Sequence, residues 1–172
     1  MTADALEETL ARIVRDIGVE LRADRCWVYA RDPRRRHGIA AVRWLRTEEV
    51  ADVPAELADW TAETADLPDI DPLFARALAG RPLDVVDDAL TGACNPALER
   101  ILGHRAFVHL NLHVDGVLWG TVQPGMTAAA RRWSEAEREL LSGLRPELAR
   151  TVAELVRTRG VALRSRRLVE GR

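Results

Sequence analysis

The sequence contains no lysine, and all 25 of its basic residues are arginines. This absence excludes a nucleotide-binding P-loop ending in Gly-Lys-Ser or Gly-Lys-Thr, because that loop needs the lysine to reach the phosphates. It also excludes covalent catalysis through a lysine Schiff base, which requires the side-chain amine. The hydrolase motif Gly-x-Ser-x-Gly and the zinc-protease motif His-Glu-x-x-His do not occur either. These common routes to an enzyme active site are therefore absent.

Cysteine is scarce, and long apolar runs are missing. Cys26 and Cys94 lie far apart and show no Cys-x-x-Cys spacing, so we expect reduced thiols and no disulfide. No apolar run approaches the roughly 18 residues that span a bilayer. The first ten residues lack the basic start and the apolar stretch of a signal peptide. We therefore expect a cytoplasmic protein without membrane contact.

The charge is nearly balanced overall but unevenly placed. A formal net charge of -2 argues against broad nucleic-acid binding. Residues 47–71 contain nine acidic side chains and no arginine, whereas residues 157–172 contain six arginines and one glutamate. A length of 172 residues with 47% apolar content suffices for one core. We predict a single domain over residues 1–158 and an Arg-rich tail over residues 159–172, which is either a solvated end or a contact for an acidic partner.

Two amphipathic helices frame the chain. The first begins near Asp4 and repeats apolar residues at spacings of three and four. The last opens with a capping box formed by Ser134 and Glu137, and we expect Pro146 to kink or split it. The two apolar stripes comprise Leu6, Leu10, Ile13, Ile17 and Leu21 in the first helix, and Leu141, Leu144, Leu148, Val152 and Leu155 in the last.

Strands and short helices occupy the middle of the sequence. Apolar or alternating segments at residues 26–30, 39–45, 83–86, 106–114 and 117–123 predict strands, the last two joined by an Asp-Gly hairpin turn. Asp71 and Asn95 are each followed by proline and predict the starts of two short helices. No strand-helix-strand crossover recurs, so we predict an α+β fold with an antiparallel sheet. The terminal helices should pack on one face, and residues 47–103 should form a pocket on the other, with the acidic segment as a possible lid.

One predicted strand carries a row of polar side chains. His109, Asn111 and His113 alternate with apolar residues. On a strand the two histidines are about 13 Å apart, whereas a zinc–imidazole bond is about 2.1 Å, so one ion cannot bind both. Adjacent members are about 6.6 Å apart, a suitable span for one organic ligand. The row is therefore either a pocket wall or an ordinary wetted face.

With these elements placed, the chain resembles a GAF domain over roughly residues 5–158. The framing helices, the segment ADRCWVYARDP (residues 23–33) and the hairpin DGVLWG (residues 115–120) carry the resemblance. It implies an antiparallel sheet of five or six strands, a helical pair on one side and a small-molecule pocket on the other. It also implies a homodimer formed through the terminal helices.

A narrower resemblance points to the phytochromes and cyanobacteriochromes, which bind bilins. It rests on Leu-Trp-Gly at residues 118–120, followed by Arg-x-Trp-Ser-x-x-Glu at residues 131–137. In this register Cys94 falls where many members attach a linear tetrapyrrole, and DPLF at residues 71–74 is similar to their Asp-x-Cys-Phe motif. The register also places Phe107 and His109 on the pocket side. Departures from the pattern are Asn95 and Gly125 in place of histidines, and Leu73 in place of a cysteine.

We therefore predict a non-catalytic sensory or regulatory GAF domain that binds a small molecule or a signalling protein. The alternative is a bilin photosensor attached at Cys94. A third alternative is the GAF branch that reduces methionine sulfoxide; it uses paired or triple cysteines, whereas Cys26 lies in a predicted strand and Cys94 in a loop. The cyclic-nucleotide branch typically carries an Asn-Lys-Phe motif, which a lysine-free chain lacks. Haem ligation through a histidine stays open. We expect no catalytic residue and no metal ligand; the candidate ligand-binding residues are Asp71, Cys94, Asn95, His104, Phe107, His109, Asn111 and His113.

Overall fold

A seven-stranded sheet forms the centre of the computed structural model, which describes residues 1–171. The strand order is β3-β2-β1-β6-β5-β4, and β7 also pairs with β2. All pairs are antiparallel except the β2–β7 pair. The predicted α+β fold is confirmed, with more strands than expected. The strands are β1 Arg25–Asp32, β2 His37–Leu45, β3 Thr61–Ala62, β4 Leu83–Val86, β5 Ala106–Val114, β6 Val117–Met126 and β7 Arg166–Val169.

The two long helices cover one face of this sheet, as predicted. Helix α1 is Ala3–Glu20 and helix α5 is Glu135–Arg159. Thr2 caps α1, and the capping box of Ser134 and Glu137 opens α5. The apolar stripes of both helices join the alternate side chains of β1, β2, β5 and β6 in one core cluster. Burial of these stripes is the main source of helix stability.

Pro146 does not split the last helix, which was one of the two effects expected of it. Helix α5 runs without a break through this residue. Proline removes one backbone donor, which leaves the carbonyl of Ser142 without its helical partner. Both residues are exposed, so water can satisfy that carbonyl. The flanking apolar residues remain packed on the sheet and maintain the helix across the gap.

The Arg-rich end of the chain contains a strand that the sequence did not predict. Strand β7 lies parallel to β2 at the edge of the sheet. Leu163 is buried in the core beside it. The carboxylate of Glu170 accepts a 3.2 Å hydrogen bond from the indole of Trp44, and Arg166 pairs with Glu8 at 2.8 Å. These contacts fasten residues 163–170 to the sheet.

Short segments cover the opposite face of the sheet. They are a 3-10 turn at Ala55–Ala58 and helices α2 Leu67–Ile70, α3 Pro72–Leu78 and α4 Pro96–Leu102. Asp71 and Asn95 cap α3 and α4 with their side chains, as predicted. A buried ion pair between Arg31 and Glu63 ties the acidic segment to β1. Within residues 1–171, every helix is too short or too polar to cross a membrane.

Two helical glycines should respond oppositely to alanine. A Cβ on Gly18 in α1 would lie 2.3 Å from a ring carbon of Trp44, whereas a Cβ on Gly143 in α5 would meet nothing within 4 Å. We expect Gly18→Ala to destabilise the fold by about 1–3 kcal/mol through overpacking. Gly143→Ala should stabilise it by about 0.5–1 kcal/mol through helix propensity. Urea unfolding measures both free energies, and equal effects would contradict this packing.

Candidate ligand-binding site

A cavity of about 170 Å³ lies on the sheet face that the short segments cover. Side chains of β1, β5 and β6 form its floor, and α2, α3, α4 and the 3-10 turn form its walls and roof. Most of the lining is aliphatic or aromatic, with four polar side chains among it. The lining residues are Trp27, Tyr29, Leu57, Leu67, Asp71, Phe74, Leu98, Leu102, His109, Thr121 and Gln123. Such a mixture is typical of small-molecule sites.

His109 presents a hydrogen-bond acceptor to this cavity. The amide nitrogen of Asn111 donates to the carbonyl of Arg81 at 2.8 Å, which fixes the orientation of that amide. Its oxygen therefore accepts from Nδ1 of His109, 2.7 Å away. Burial lowers the pKa of His109 and keeps the ring neutral. The ring nitrogen Nε2 then carries a lone pair, and no residue in 1–171 forms a hydrogen bond with it.

Asp71 and Gln123 add further polar groups to the same cavity. One carboxylate oxygen of Asp71 accepts the backbone N–H groups of Leu73 and Phe74 at the start of α3. The amide nitrogen of Gln123 donates to the hydroxyl of Thr121 at 2.9 Å. The other carboxylate oxygen of Asp71 and the carbonyl oxygen of Gln123 are acceptors. A ligand that donates a hydrogen bond therefore finds acceptors in this lining.

A buried polar network supports the cavity from behind. The indole of Trp27 donates to Nε2 of His104 at 3.3 Å, and Nδ1 of His104 lies 2.8 Å from a carboxylate oxygen of Glu99. Because an indole nitrogen only donates, the proton of the neutral His104 ring sits on Nδ1 and points to Glu99. Burial lowers the pKa of His104 well below its usual value. His104 also stacks on Phe107 with 4.2 Å between ring centres.

Arg25 completes this network although its side chain has almost no solvent access. It is 1% exposed and donates to the backbone carbonyls of Ala51 and Leu102. Burial lowers the pKa of Arg25 to about 10, so the group stays charged at neutral pH. Burial, followed by the negative charge of Asp71, raises the pKa of Glu99 to about 8 although Arg25 opposes the shift. Arg25 thus holds the end of α4, which carries the cavity residue Leu102.

The candidate residues from the sequence fall into two groups. Asp71 and His109 line the cavity, and Asn111 orients His109. The side chains of His104 and Phe107 lie behind the lining, with Phe107 fully buried beside Leu73 and Val86. Asn95 and His113 are outside the lining: Asn95 caps α4 and donates to the carbonyl of Ile70, and Nε2 of His113 donates to the carbonyl of Ala77.

Cys94 also lies outside the cavity lining. It is partly buried against the cluster of Leu73, Val86, Ala89 and Phe107, and its thiol contacts the carbonyl of Ala89 at 3.5 Å. Burial raises the pKa of Cys94 to about 11, which keeps the thiol protonated and weakly nucleophilic. Cys26 packs in the core on the helix side of the sheet, so the two thiols lie on opposite faces.

Sequence reasoning missed most of the lining. Trp27 and Tyr29 occupy alternate positions of β1, and Thr121 and Gln123 occupy alternate positions of β6 opposite the polar row. The sequence shows this alternation in β6, where the polar Thr121 and Gln123 flank the apolar Val122. For β1 the alternation was hidden, because both faces of that strand are buried and apolar. The leucines of α2 and α4 carried no signal that distinguishes a lining residue from a core residue.

A family model of the GAF domain matches residues 5–161 of this sequence. The chain belongs to the GAF domain family. The architecture agrees with this assignment, since the terminal helices and the cavity lie on opposite faces of one sheet. A search of curated proteins finds no match for the sequence.

Solved GAF domains share this fold at low sequence identity. The blue-light-absorbing PixJ GAF domain of Thermosynechococcus elongatus matches with a TM-score of 0.64 and 21% identity over 89% of this chain and 86% of that chain. The phycoerythrobilin-bound GAF domain of a cyanobacterial phytochrome has a TM-score of 0.68 and 18% identity over 87% and 86%. The GAF domain of an Acinetobacter phosphoenolpyruvate-protein phosphotransferase has a TM-score of 0.64 and 14% identity over 87% of this chain and 82% of that chain. Family and fold together support a sensory GAF domain.

Glu99 should make the stability of this GAF domain depend on pH. Its pKa is raised to about 8, so the folded state favours the neutral carboxyl group. The stability it contributes is full below its unfolded pKa and is lost as the pH rises through about 8. Gln at this position cannot ionise but retains an acceptor for His104. We expect Glu99→Gln to become progressively more stable than the wild type from about pH 5 to pH 8.

Urea unfolding at several pH values measures this difference. Glu154→Gln is the matched control, because Glu154 is exposed on α5 and its side chain forms no hydrogen bond or ion pair within residues 1–171. A difference between the wild type and Glu99→Gln that stays constant with pH would contradict the raised pKa.

Proposed function

We propose that this GAF domain is a non-catalytic sensory module that binds a small, one-ring organic ligand in the cavity. The observation that supports the proposal is the mostly apolar cavity of about 170 Å³ with the unpartnered Nε2 of His109 in its lining. A cavity of about 150 Å³ accommodates a benzene ring. The apolar walls would bind the ring, and His109 would accept a hydrogen bond from its substituent.

The polar residues of the cavity favour a ligand with a hydroxyl or amine group. Nε2 of His109 and the second carboxylate oxygen of Asp71 are acceptors, and neither has a protein donor within residues 1–171. A ligand that fills the cavity would displace the water that reaches these acceptors. A ligand donor would replace that water, whereas a ligand without a donor would leave an acceptor buried without a partner, which costs about 1–3 kcal/mol. The arrangement would therefore discriminate among rings of similar size by their substituent.

The site residues favour binding over catalysis. His109 is held by Asn111, and no serine, threonine or cysteine hydroxyl or thiol forms a hydrogen bond with it in the described chain. A nucleophile and its base normally lie within hydrogen-bonding distance. The methionine sulfoxide reductase chemistry needs thiols that meet, whereas Cys26 and Cys94 are separated by the sheet.

A bilin photosensor attached at Cys94 is the second candidate. Two of the structural neighbours are GAF domains from a cyanobacterial phytochrome, one bound to phycoerythrobilin and one to phycocyanobilin, which favours it. Two features of this chain weigh against it: the cavity is of one-ring size, and the Cys94 thiol lies outside the lining with a pKa of about 11. A covalently attached bilin colours the protein, so an absorption spectrum after co-expression with a phycocyanobilin supply separates the two candidates.

Phenol and toluene are matched probes of the proposed site, since they differ by the hydroxyl donor. We expect the wild type to bind phenol roughly tenfold more tightly than toluene, because phenol satisfies an acceptor that bound toluene would leave without a partner, and one satisfied hydrogen bond contributes about 1 kcal/mol. His109→Leu should reduce this preference while toluene still binds, because Asp71 and Gln123 remain as acceptors in the lining. Quenching of tryptophan fluorescence, with Trp27 in the lining, measures both affinities.

His113→Leu is the control for this experiment. His113 lies on the same strand and the same face, but its ring bonds to the carbonyl of Ala77 and does not line the cavity. It should retain the preference for phenol. Equal affinities of the wild type for phenol and toluene would refute the role of His109 as an acceptor. Failure to bind either probe would refute the proposal that the cavity binds a one-ring ligand.

We further propose that the terminal helices mediate a homodimer. Ile13 and Ile17 of α1 and Leu140 and Leu144 of α5 line a groove of about 320 Å³ on the outer surface of the helix pair. Charged residues of both signs form its rim: Arg12, Asp16, Glu20 and Glu147. A two-fold axis through this groove would place the apolar side chains of the two copies against each other.

Light scattering at micromolar concentration tests the dimer. Leu140 is 38% exposed, and we expect Leu140→Glu to yield monomers because it places a charge in the apolar centre of the contact. Ile101→Glu is the control, since Ile101 is 69% exposed on α4, away from the helix pair. A monomeric wild type would count against the proposal.

A further inference from the structure

Strand β4 leaves one edge of the sheet open. It is the last strand in the order and pairs only with β5. The N–H of Asn111 donates to the carbonyl of Pro82, so the backbone groups of Pro82, Asp84 and Val86 face β5. Because these groups alternate along an antiparallel strand, those of Leu83 and Val85 face outward. The Leu83 carbonyl accepts from Arg81, which leaves the two outward N–H groups and the Val85 carbonyl without partners within residues 1–171.

Arginines flank this edge on both faces of the sheet. A groove of about 510 Å³ runs along it, bounded by Arg76 and Arg81 on the cavity side and by Arg138 of α5 on the helix side. The side chains of Arg76 and Arg81 are 33% and 57% exposed. Both pair with Asp84, and within residues 1–171 the side chain of Arg138 donates only to the carbonyl of Ser134. Three positive charges against one negative charge leave the groove cationic.

We propose that the β4 edge binds an extended acidic segment of a partner protein by strand addition. The free backbone groups of Leu83 and Val85 would pair with the added strand. Side chains of an added strand alternate between the two faces. One acidic residue would therefore meet Arg76 and Arg81, and its neighbour in sequence would meet Arg138. The edge thus selects adjacent acidic residues in an extended segment.

The same charges disfavour other occupants. A second copy of this edge would bring the three arginines of each chain together, and charged side chains are a usual protection against such pairing. The edge also closes at Asp87, whose backbone carbonyl and side chain accept the N–H groups of Arg131 and Trp133. The open part is therefore short, which limits pairing to a few residues and makes the charges a larger share of the affinity.

Fluorescence anisotropy with a designed peptide tests the proposal. The probe is a fluorescein-labelled peptide of about ten residues in which Glu-Glu pairs alternate with Val-Val pairs; it is called the Glu-Val peptide. A second peptide carries proline at the valine positions; it has the same charge but cannot pair with a strand. We expect the affinity of the proline peptide to be lower by at least roughly tenfold. Equal affinities of the two peptides would overturn strand addition.

Two variants separate the backbone contribution from the charge contribution. Val85→Pro removes an outward N–H while the bonds to β5 remain, and it should weaken the Glu-Val peptide roughly tenfold. Arg138→Glu should weaken it by a similar factor, with a smaller salt dependence. Arg150→Glu is the control, because Arg150 is exposed on the same helix away from the groove. Unchanged affinity in Val85→Pro, or an equal loss in Arg150→Glu, would refute the site.

Amide exchange of the wild type gives a second measurement if Val85→Pro does not fold. The bound Glu-Val peptide should slow hydrogen exchange at the N–H groups of Leu83 and Val85, which it would engage directly. A single-stranded oligo-dT of similar charge has no strand-forming backbone and should not protect them. Protection by oligo-dT, or its absence with the peptide, would overturn the proposal.

Discussion

The guanidinium group of Arg25 holds together the side of the sheet that contains the cavity. It is enclosed by protein, and its hydrogen bonds reach the loop after β2 and the last turn of α4. A buried charge is tolerated only when polar groups replace its water. The two carbonyls and the nearby acidic groups Asp24, Asp52 and Glu99 supply that replacement. Loss of the arginine would leave those carbonyls unpaired beneath the cavity roof. The short helices on this face bury little apolar surface of their own, so their positions depend on such polar anchors more than the positions of α1 and α5 do.

This difference between the two faces explains how a sensory function can reside on a stable sheet. On the helix face, long apolar stripes pack into one core. On the cavity face, small separate clusters form beneath short segments, with the buried pair of Arg31 and Glu63 as a second anchor. Segments with few apolar contacts are the ones that open or shift at low free-energy cost. A ligand that fills the cavity would add apolar contacts where the protein has few, and would therefore stabilise the cavity face selectively.

Sequence patterns anticipated the framework better than the cavity. The stripes of α1 and α5 and the alternation in β5 were visible because each has one buried face, and Asp71 and Asn95 were visible as caps because proline follows each. Strand β7 was missed because four residues beginning with two arginines carry no apolar alternation. The sequence places the polar row on the cavity face, yet only His109 of its three members lines the cavity. Alternation along a strand shows which residues share a face, but not which of them the short helices enclose in a cavity. Phe107 and Cys94 were displaced from the expected lining because Phe107 packs beneath α3 with Leu73, and Cys94 joins that cluster.

Helix α3 connects the cavity with the arginines at the sheet edge. Asp71 at its start and Phe74 in its first turn line the cavity, and Arg76 in the next turn lies in the groove beside β4. Asp84, which binds Arg76, pairs across the ladder with His109. A seven-residue helix moves as a unit, so a displacement of Phe74 by a ligand would also displace Arg76. If both proposed sites bind their ligands, the two affinities must change each other by the same factor, because thermodynamic linkage is reciprocal. The helix would then act as the physical link between a ligand sensed in the cavity and a partner recognised at the edge.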